Sequence, residues 1–188
     1  VHHRISELGV DLEVRWIASE DNSQADALSR GSPFDELQLR SARVQELNRQ
    51  FGLHDVDRYA TAANAKAPRF SSLLPEEGSI GASALSHDWH GANNLVFPPP
   101  ADLPRIAQLL AEQSGIRATV VAPYWPAQHW YQRLLSVAAS VDTSALMDVA
   151  APPDWLPGSA RTALSGAMLS IFRVEARLGS STDPSSRR

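Results

Sequence analysis

Hydrophobic and polar positions alternate along Val10 to Ile17 (VDLEVRWI), with Val10, Leu12, Val14 and Trp16 on one side and Asp11, Glu13 and Arg15 on the other. A period of two marks a half-buried strand. Ser19 to Arg30 (SEDNSQADALSR) opens on turn-forming residues and continues with helix formers, Ala25 and Leu28 falling on one face. A short helix is expected to follow the strand. A second helix is expected from Ser32 to Gly52: Ser32 suits the cap, Pro33 the first turn, Asp35 and Glu36 the positive end of the dipole, and Gly52 the close. Phe34, Leu37, Val44, Leu47 and Phe51 form its apolar stripe. Asp55 to Thr61 (DVDRYAT) reads as a short strand, and the polar, proline-containing stretch up to Gly81 as irregular loop.

From Asn94 the pattern changes to alternating elements. Leu95 to Phe97 reads as a strand tip running into Pro98-Pro99-Pro100, and Leu103 to Ser114 as a helix with Ile106, Leu109 and Leu110 inward and Gly115 at its end. Ala118 to Ala122 (ATVVA) is a continuous apolar run of the kind buried on both faces of a parallel sheet. Ala127 to Ala139 reads as a further helix with Trp130, Leu134 and Val137 in phase, and Ile171 to Ala176 as a last strand. The order strand, helix, strand, helix implies parallel pairing and an α/β layer. The Ser/Pro/Arg-rich stretch Gly179 to Arg188 is expected to be a disordered tail.

Composition narrows the function classes. At 188 residues the chain suits one modest core rather than two full domains. Hydrophobic and charged fractions of 43% and 20% are those of ordinary globular proteins and exclude wholesale disorder. A formal charge of −4 sets up no large positive field, so non-specific nucleic-acid binding by the chain alone is expected to be weak. The absence of cysteine excludes disulfides, thiolate nucleophiles and Cys-ligated zinc, and fits a reducing, intracellular compartment, cytoplasmic or nuclear. No apolar run approaches the roughly 20 residues of a membrane span, and no signal-like stretch follows Val1-His2-His3-Arg4, so no membrane partner is expected. A chain that opens on valine and runs almost directly into strand-like sequence reads as a piece of something longer. The pattern leaves the oligomeric state open.

The first candidate chemistry is Asn22 and Asp26, directly after the VRWI strand. A carboxylate on the first turn of a helix beside a sheet can help hold a magnesium ion, because a hard cation takes oxygen ligands on rigid supports. Spacing alone favours the plainer alternative, in which Asp26 caps or solvates a short helix. The run VRWIASEDNSQADALSR resembles the C-terminal end of the ribonuclease H domain of retroelement polyproteins, in which a strand ending in Trp-Ile or Trp-Val is followed by Asn and then Ala-Asp-x-Leu-Ser-Arg. The resemblance covers about the first 30 residues and implies that Asp26 is the last of the metal-binding carboxylates that cleave the RNA of an RNA–DNA hybrid with magnesium. The family's other carboxylates belong to strands upstream of this match, and two metals need several oxygen ligands. The chain by itself is therefore expected not to cleave RNA.

The second constellation is Val96 to Pro100 (VFPPP) at a strand end, with Asp57 and Asp88 upstream. Loops at strand ends of open α/β sheets bind ligands, whereas a proline run after a strand is also an ordinary way to stop pairing. The ordered series DVDRYATAANAKAPRF, SHDWHGANNLVFPPP, RATVVAPYWPAQHWYQRLLS, DWLPG and FRVEA is similar to the methyltransferase-like domain that follows ribonuclease H in DIRS-type retrotransposons. That domain in turn resembles phage DNA adenine methyltransferases. The match runs from about Phe51 to Ala176. It implies a Rossmann-like, mostly parallel methyltransferase-type sheet, and a division into residues 1–31 (end of ribonuclease H), 32–52 (linking helix), 53–178 (methyltransferase-like domain) and 179–188 (tail).

In the active enzymes, the resemblance implies, an [Asn/Asp]-Pro-Pro-[Tyr/Phe] loop grips a flipped adenine, and S-adenosylmethionine supplies the methyl group. Here that loop is Phe97-Pro98-Pro99-Pro100, with Phe97 in place of the polar acceptor and Pro100 in place of the stacking aromatic. A lost buried acceptor costs about 1–3 kcal/mol and lost base stacking about as much again, which together slow a reaction by roughly several hundredfold or more. Asp57 matches an acidic position for the cofactor ribose and Asp88 one near the cofactor adenine; read without the resemblance, each is as well a turn or cap residue. No Gly-rich cofactor loop is visible.

Other signals are weaker. His87-x-x-His90 has metal spacing in a loop-like stretch, where a solvated or hydrogen-bonded pair is the more frequent outcome. Trp125, Trp130 and Tyr131 can stack on bases or serve as core. Ser29 and Ser86 have no His–Asp partnership in view. The expected function is a fragment of a retrotransposon polyprotein, whose parent is an RNA-directed DNA polymerase with ribonuclease H that meets RNA–DNA hybrid or DNA. The fragment's own methyltransferase-like layer is expected to be degenerate. An active S-adenosylmethionine-dependent adenine methyltransferase and a non-enzymatic nucleic-acid or protein binding module are the alternatives.

Overall fold

The computed structural model describes Phe34 and residues 37–176. The expected strand Val10 to Ile17, the helix Ser19 to Arg30 with Asp26, and the tail Gly179 to Arg188 lie outside the described residues. Strand β1 (Gln38–Leu39) leads into helix α1 (Ser41–Phe51), followed by β2 (Val56–Asp57), β3 (Arg69–Phe70) and β4 (Asn93–Val96). Then come α2 (Leu103–Glu112), β5 (Arg117–Pro123), α3 (His129–Val137), β6 (Ser140–Ala145), the short α4 (Leu146–Val149), β7 (Ala150–Ala151), α5 (Gly158–Ser165) and β8 (Met168–Val174).

Six strands form one sheet in the order β3-β2-β4-β5-β8-β6. β3, β2, β4 and β5 run parallel to their neighbours, and β8 runs against both β5 and β6. The sheet is therefore mostly parallel, with β8 alone reversed, and the fold is α/β with a Rossmann-like layer. Its central strands β4, β5 and β8 are buried on both faces because successive side chains enter different cores. Val96, Val120 and Phe172 join Ile106, Leu110, Trp130 and Leu134 from α2 and α3. Leu95, Val121 and Ile171 join Val44, Leu47, Leu146 and Leu164 from α1, α4 and α5. Helices thus cover both sides of the sheet. Among the described residues no helix is long and apolar enough to cross a membrane.

Several expected boundaries move. The helix expected from Ser32 begins at Ser41. Leu37 and Leu39 are both buried with exposed Gln38 between them, a period of two, and Gln38–Leu39 pairs antiparallel with Ala150–Ala151. Backbone partners in β7 thus win over the helical pattern at Leu37. Val44 and Leu47 do sit on the buried face of α1. The stretch expected as loop up to Gly81 holds β3, whose two residues pair with Val56–Asp57. The last strand starts at Met168 rather than Ile171 and runs antiparallel. Strand β6 and helices α4 and α5 have no counterpart in the expected elements.

Candidate functional site

The chain leaves β2 toward β3 on one side and returns to β4 on the other, so β2 and β4 flank a topological switch point. In open α/β sheets the crevice outside the carboxyl ends of such strands is where ligands bind. A cavity of about 220 Å³ lies there. Its walls are Asp57, Tyr59, Ala60 and Thr61 from the end of β2, Phe97, Pro98 and Pro99 from the end of β4, and Phe34 with residues 37–39 ahead of α1. Asn64, Lys66 and Leu73 complete the lining.

Asp57 is 4% exposed. Its Oδ2 accepts the Lys66 backbone N–H at 3.0 Å and its Oδ1 the Tyr59 N–H at 3.4 Å. Burial pushes its pKa above the ordinary carboxylate range, and the amides of Lys66 and Tyr59 oppose the rise. The loop it anchors is tightened by Asn64, whose Oδ1 accepts the Thr61 N–H at 2.7 Å. Beside it, burial and the Asp102 carboxylate raise the pKa of the Tyr59 phenol.

The opposite wall is apolar. Phe97 is half-buried and packs against the core that contains Leu95. Pro98 and Pro99 follow it, and three successive prolines leave this loop with carbonyl groups and no N–H. The Pro99 carbonyl accepts the Asp102 N–H at 3.0 Å, and Pro100 opens a 3₁₀ turn, Pro100–Asp102, outside the lining.

The structure therefore brings Asp57 together with Phe97, Pro98 and Pro99, and leaves Pro100 and Asp88 outside. Asp88 precedes the amino end of β4, whereas the crevice lies at the carboxyl end. Its carboxylate holds the backbone N–H and Nδ1 of His90, and its carbonyl accepts Nη2 of Arg58 at 2.8 Å. The His90 contacts lower the Asp88 pKa, and the same side-chain contact raises that of His90. His87 instead faces the Ala82 carbonyl at 3.2 Å. Among the described residues no group of three or more His, Cys, Asp or Glu is placed to hold a metal ion.

Sequence reasoning missed Tyr59, Lys66, Phe34 and Leu37 as lining residues. Lys66 acts through its amide, which no side-chain pattern reveals, and Phe34 and Leu37 arrive through the β1–β7 pairing. It also missed a buried polar network at the amino end of the sheet. His54 is 3% exposed, and its backbone N–H and Nδ1 both point to Asn48 Oδ1, at 3.2 and 2.5 Å. Nδ1 therefore carries the proton, and Nε2 accepts from Thr119 Oγ1 at 2.9 Å. Arg173 donates to the same Thr119 oxygen at 3.2 Å and to Asn93 Oδ1 at 2.7 Å. Burial first, and Arg173 second, lower the His54 pKa to about 4.

Compared with family models and with curated proteins, the chain matches none.

Proposed function

We propose that the chain is a catalytically silent, methyltransferase-like α/β layer of a retrotransposon polyprotein, following the closing end of a ribonuclease H domain. One observation carries the reading. At the end of β4, Phe97 packs half-buried against the core where an adenine amino group needs an acceptor, and Pro100 enters a turn outside the crevice where a stacking ring is needed. Support for the methyltransferase-like ancestry comes from the mostly parallel sheet and from a switch-point crevice holding the Asp57 carboxylate.

The crevice does not fit S-adenosylmethionine. Its volume of about 220 Å³ falls below the roughly 300–1,000 Å³ of pockets for drug-sized ligands, and no glycine in the lining lets backbone approach a ligand closely. In an intact parent, acting in the cytoplasm or nucleus on RNA–DNA hybrid or DNA, Asp26 would supply one of the oxygen ligands of magnesium. Isothermal titration with S-adenosylmethionine tests the silent reading. No heat in the micromolar range is expected, and micromolar binding would contradict it. In-frame reverse-transcriptase sequence upstream tests the parentage.

An active adenine methyltransferase is the second reading, favoured by the buried Asp57 carboxylate in the crevice. It predicts methyl transfer from labelled S-adenosylmethionine that disappears in Asp57→Ala.

A further inference from the structure

We propose that the exposed rings of Tyr124 and Trp125, just beyond the carboxyl end of β5, form a stacking platform for single-stranded nucleic acid beside the switch-point crevice. The two rings are 47% and 38% exposed, on the loop that leaves the strand next to β4. They are nevertheless held in place. Trp125 meets Phe34 edge-on with centroids 5.5 Å apart and buried Trp130 at 6.3 Å. Tyr124 meets buried Tyr131 edge-on at 5.8 Å, and Trp130 and Tyr131 touch at 5.6 Å. Rings fixed before a ligand arrives lose little freedom on binding. Phe34 also walls the crevice, so platform and crevice share a side.

Charge selects the partner. The whole chain carries −4, yet Gln113 to Val141 contains no aspartate or glutamate. Helix α3 begins within a turn of Trp125, whose carbonyl accepts the Gln128 N–H at 3.0 Å. It presents exposed His129 and Arg133, and neither pairs with a carboxylate among the described residues. Exposed aromatic rings followed along α3 by the unpaired guanidinium of Arg133 suit a single strand, whose bases stack while a phosphate meets the cation. Proline-rich peptides also dock on aromatic surfaces, but they make no use of the unpaired Arg133. The platform requires neither cofactor binding nor methyl transfer, so it stands or falls apart from the methyltransferase-like reading.

Fluorescence anisotropy of a labelled oligothymidylate of about 15 nucleotides, titrated with the full chain at about 50 mM and about 200 mM salt, tests the platform. Expected are binding at low salt with quenched tryptophan emission, weakening of about tenfold in both Trp125→Ala and Tyr124→Ala, and a shallower salt dependence in Arg133→Glu. Circular dichroism checks that each variant is folded; if Trp125→Ala unfolds, the exposed Tyr124 and Arg133 variants decide the outcome. No binding at low salt overturns the proposal, as does unchanged affinity in the folded ring variants or binding of a proline-rich peptide in place of the oligonucleotide.

Discussion

Asp57 and Phe97 line one crevice from the ends of adjacent parallel strands, β2 and β4, whose register sets Asp57 beside Leu95. Asp57 is the one acidic group in the lining among the described residues, and the side chain of Phe97 on the facing wall offers it no hydrogen bond. A crevice at the position where α/β sheets bind ligands thus sets one buried carboxylate against an apolar ring. The carboxylate's visible task is to anchor the loop that ends at Lys66.

That anchoring is measurable. Hydrogen bonds to charged acceptors contribute about 1.5–3 kcal/mol, so Asp57→Ala should speed exchange of the Lys66 amide by about tenfold or more. Hydrogen exchange resolved at single amides checks this. Unchanged exchange would show that the loop is held by the Thr61–Asn64 turn alone.

His54 makes the fold sensitive to acid. Its folded pKa is lowered from 6.5 to about 4, so between those values the unfolded chain takes up a proton that the folded chain refuses. Stability is fully present above about pH 6.5 and falls as the pH drops to about 4, by about 3 kcal/mol. Urea midpoints across that window should fall in the wild type, and His54→Gln should remove this share of the slope.

Adjacent residues of β8 serve opposite cores. Ile171 is 2% exposed and Phe172 is fully buried, one in each cluster. Ile171→Ala should cost about 2–5 kcal/mol and Phe172→Ala about 3–5 kcal/mol. Denaturant titration gives both values. If either variant loses less than about 0.5 kcal/mol, as a surface site would, helices do not cover that face.

Gly115 lies in the turn between α2, which ends at Glu112, and β5, with φ of 84°, and a Cβ there would lie 3.3 Å from the His90 ring. Left-handed backbone costs a non-glycine residue about 1–2 kcal/mol. Gly115→Ala should therefore destabilise by at least that amount, read as a lower melting temperature.

Legibility in the sequence followed the source of each element's stability. β5 was plain because Ala118, Val120, Val121 and Ala122 are apolar with only Thr119 among them, as burial on both faces demands. α2 and α3 were plain because their inward residues recur at helical spacing. β6 was not, since Ser140–Ala145 is a largely exposed, polar strand at the sheet edge, and β1 and β3 are two-residue pairings too short to show a period. In the site, Asp57 could be singled out as an acid at a strand end. Nothing local announces that a backbone amide nine residues on, at Lys66, holds it, or that Phe34 reaches the crevice through tertiary pairing.

The central claim is the proposal that the β4 loop does not act on an adenine amino group. It is tested most directly by incubating the full chain with labelled S-adenosylmethionine and adenine-containing DNA and counting methyl groups transferred. The account predicts incorporation no greater than in a protein-free control, for wild type and Asp57→Ala alike. Wild-type turnover that Asp57→Ala abolishes would contradict it.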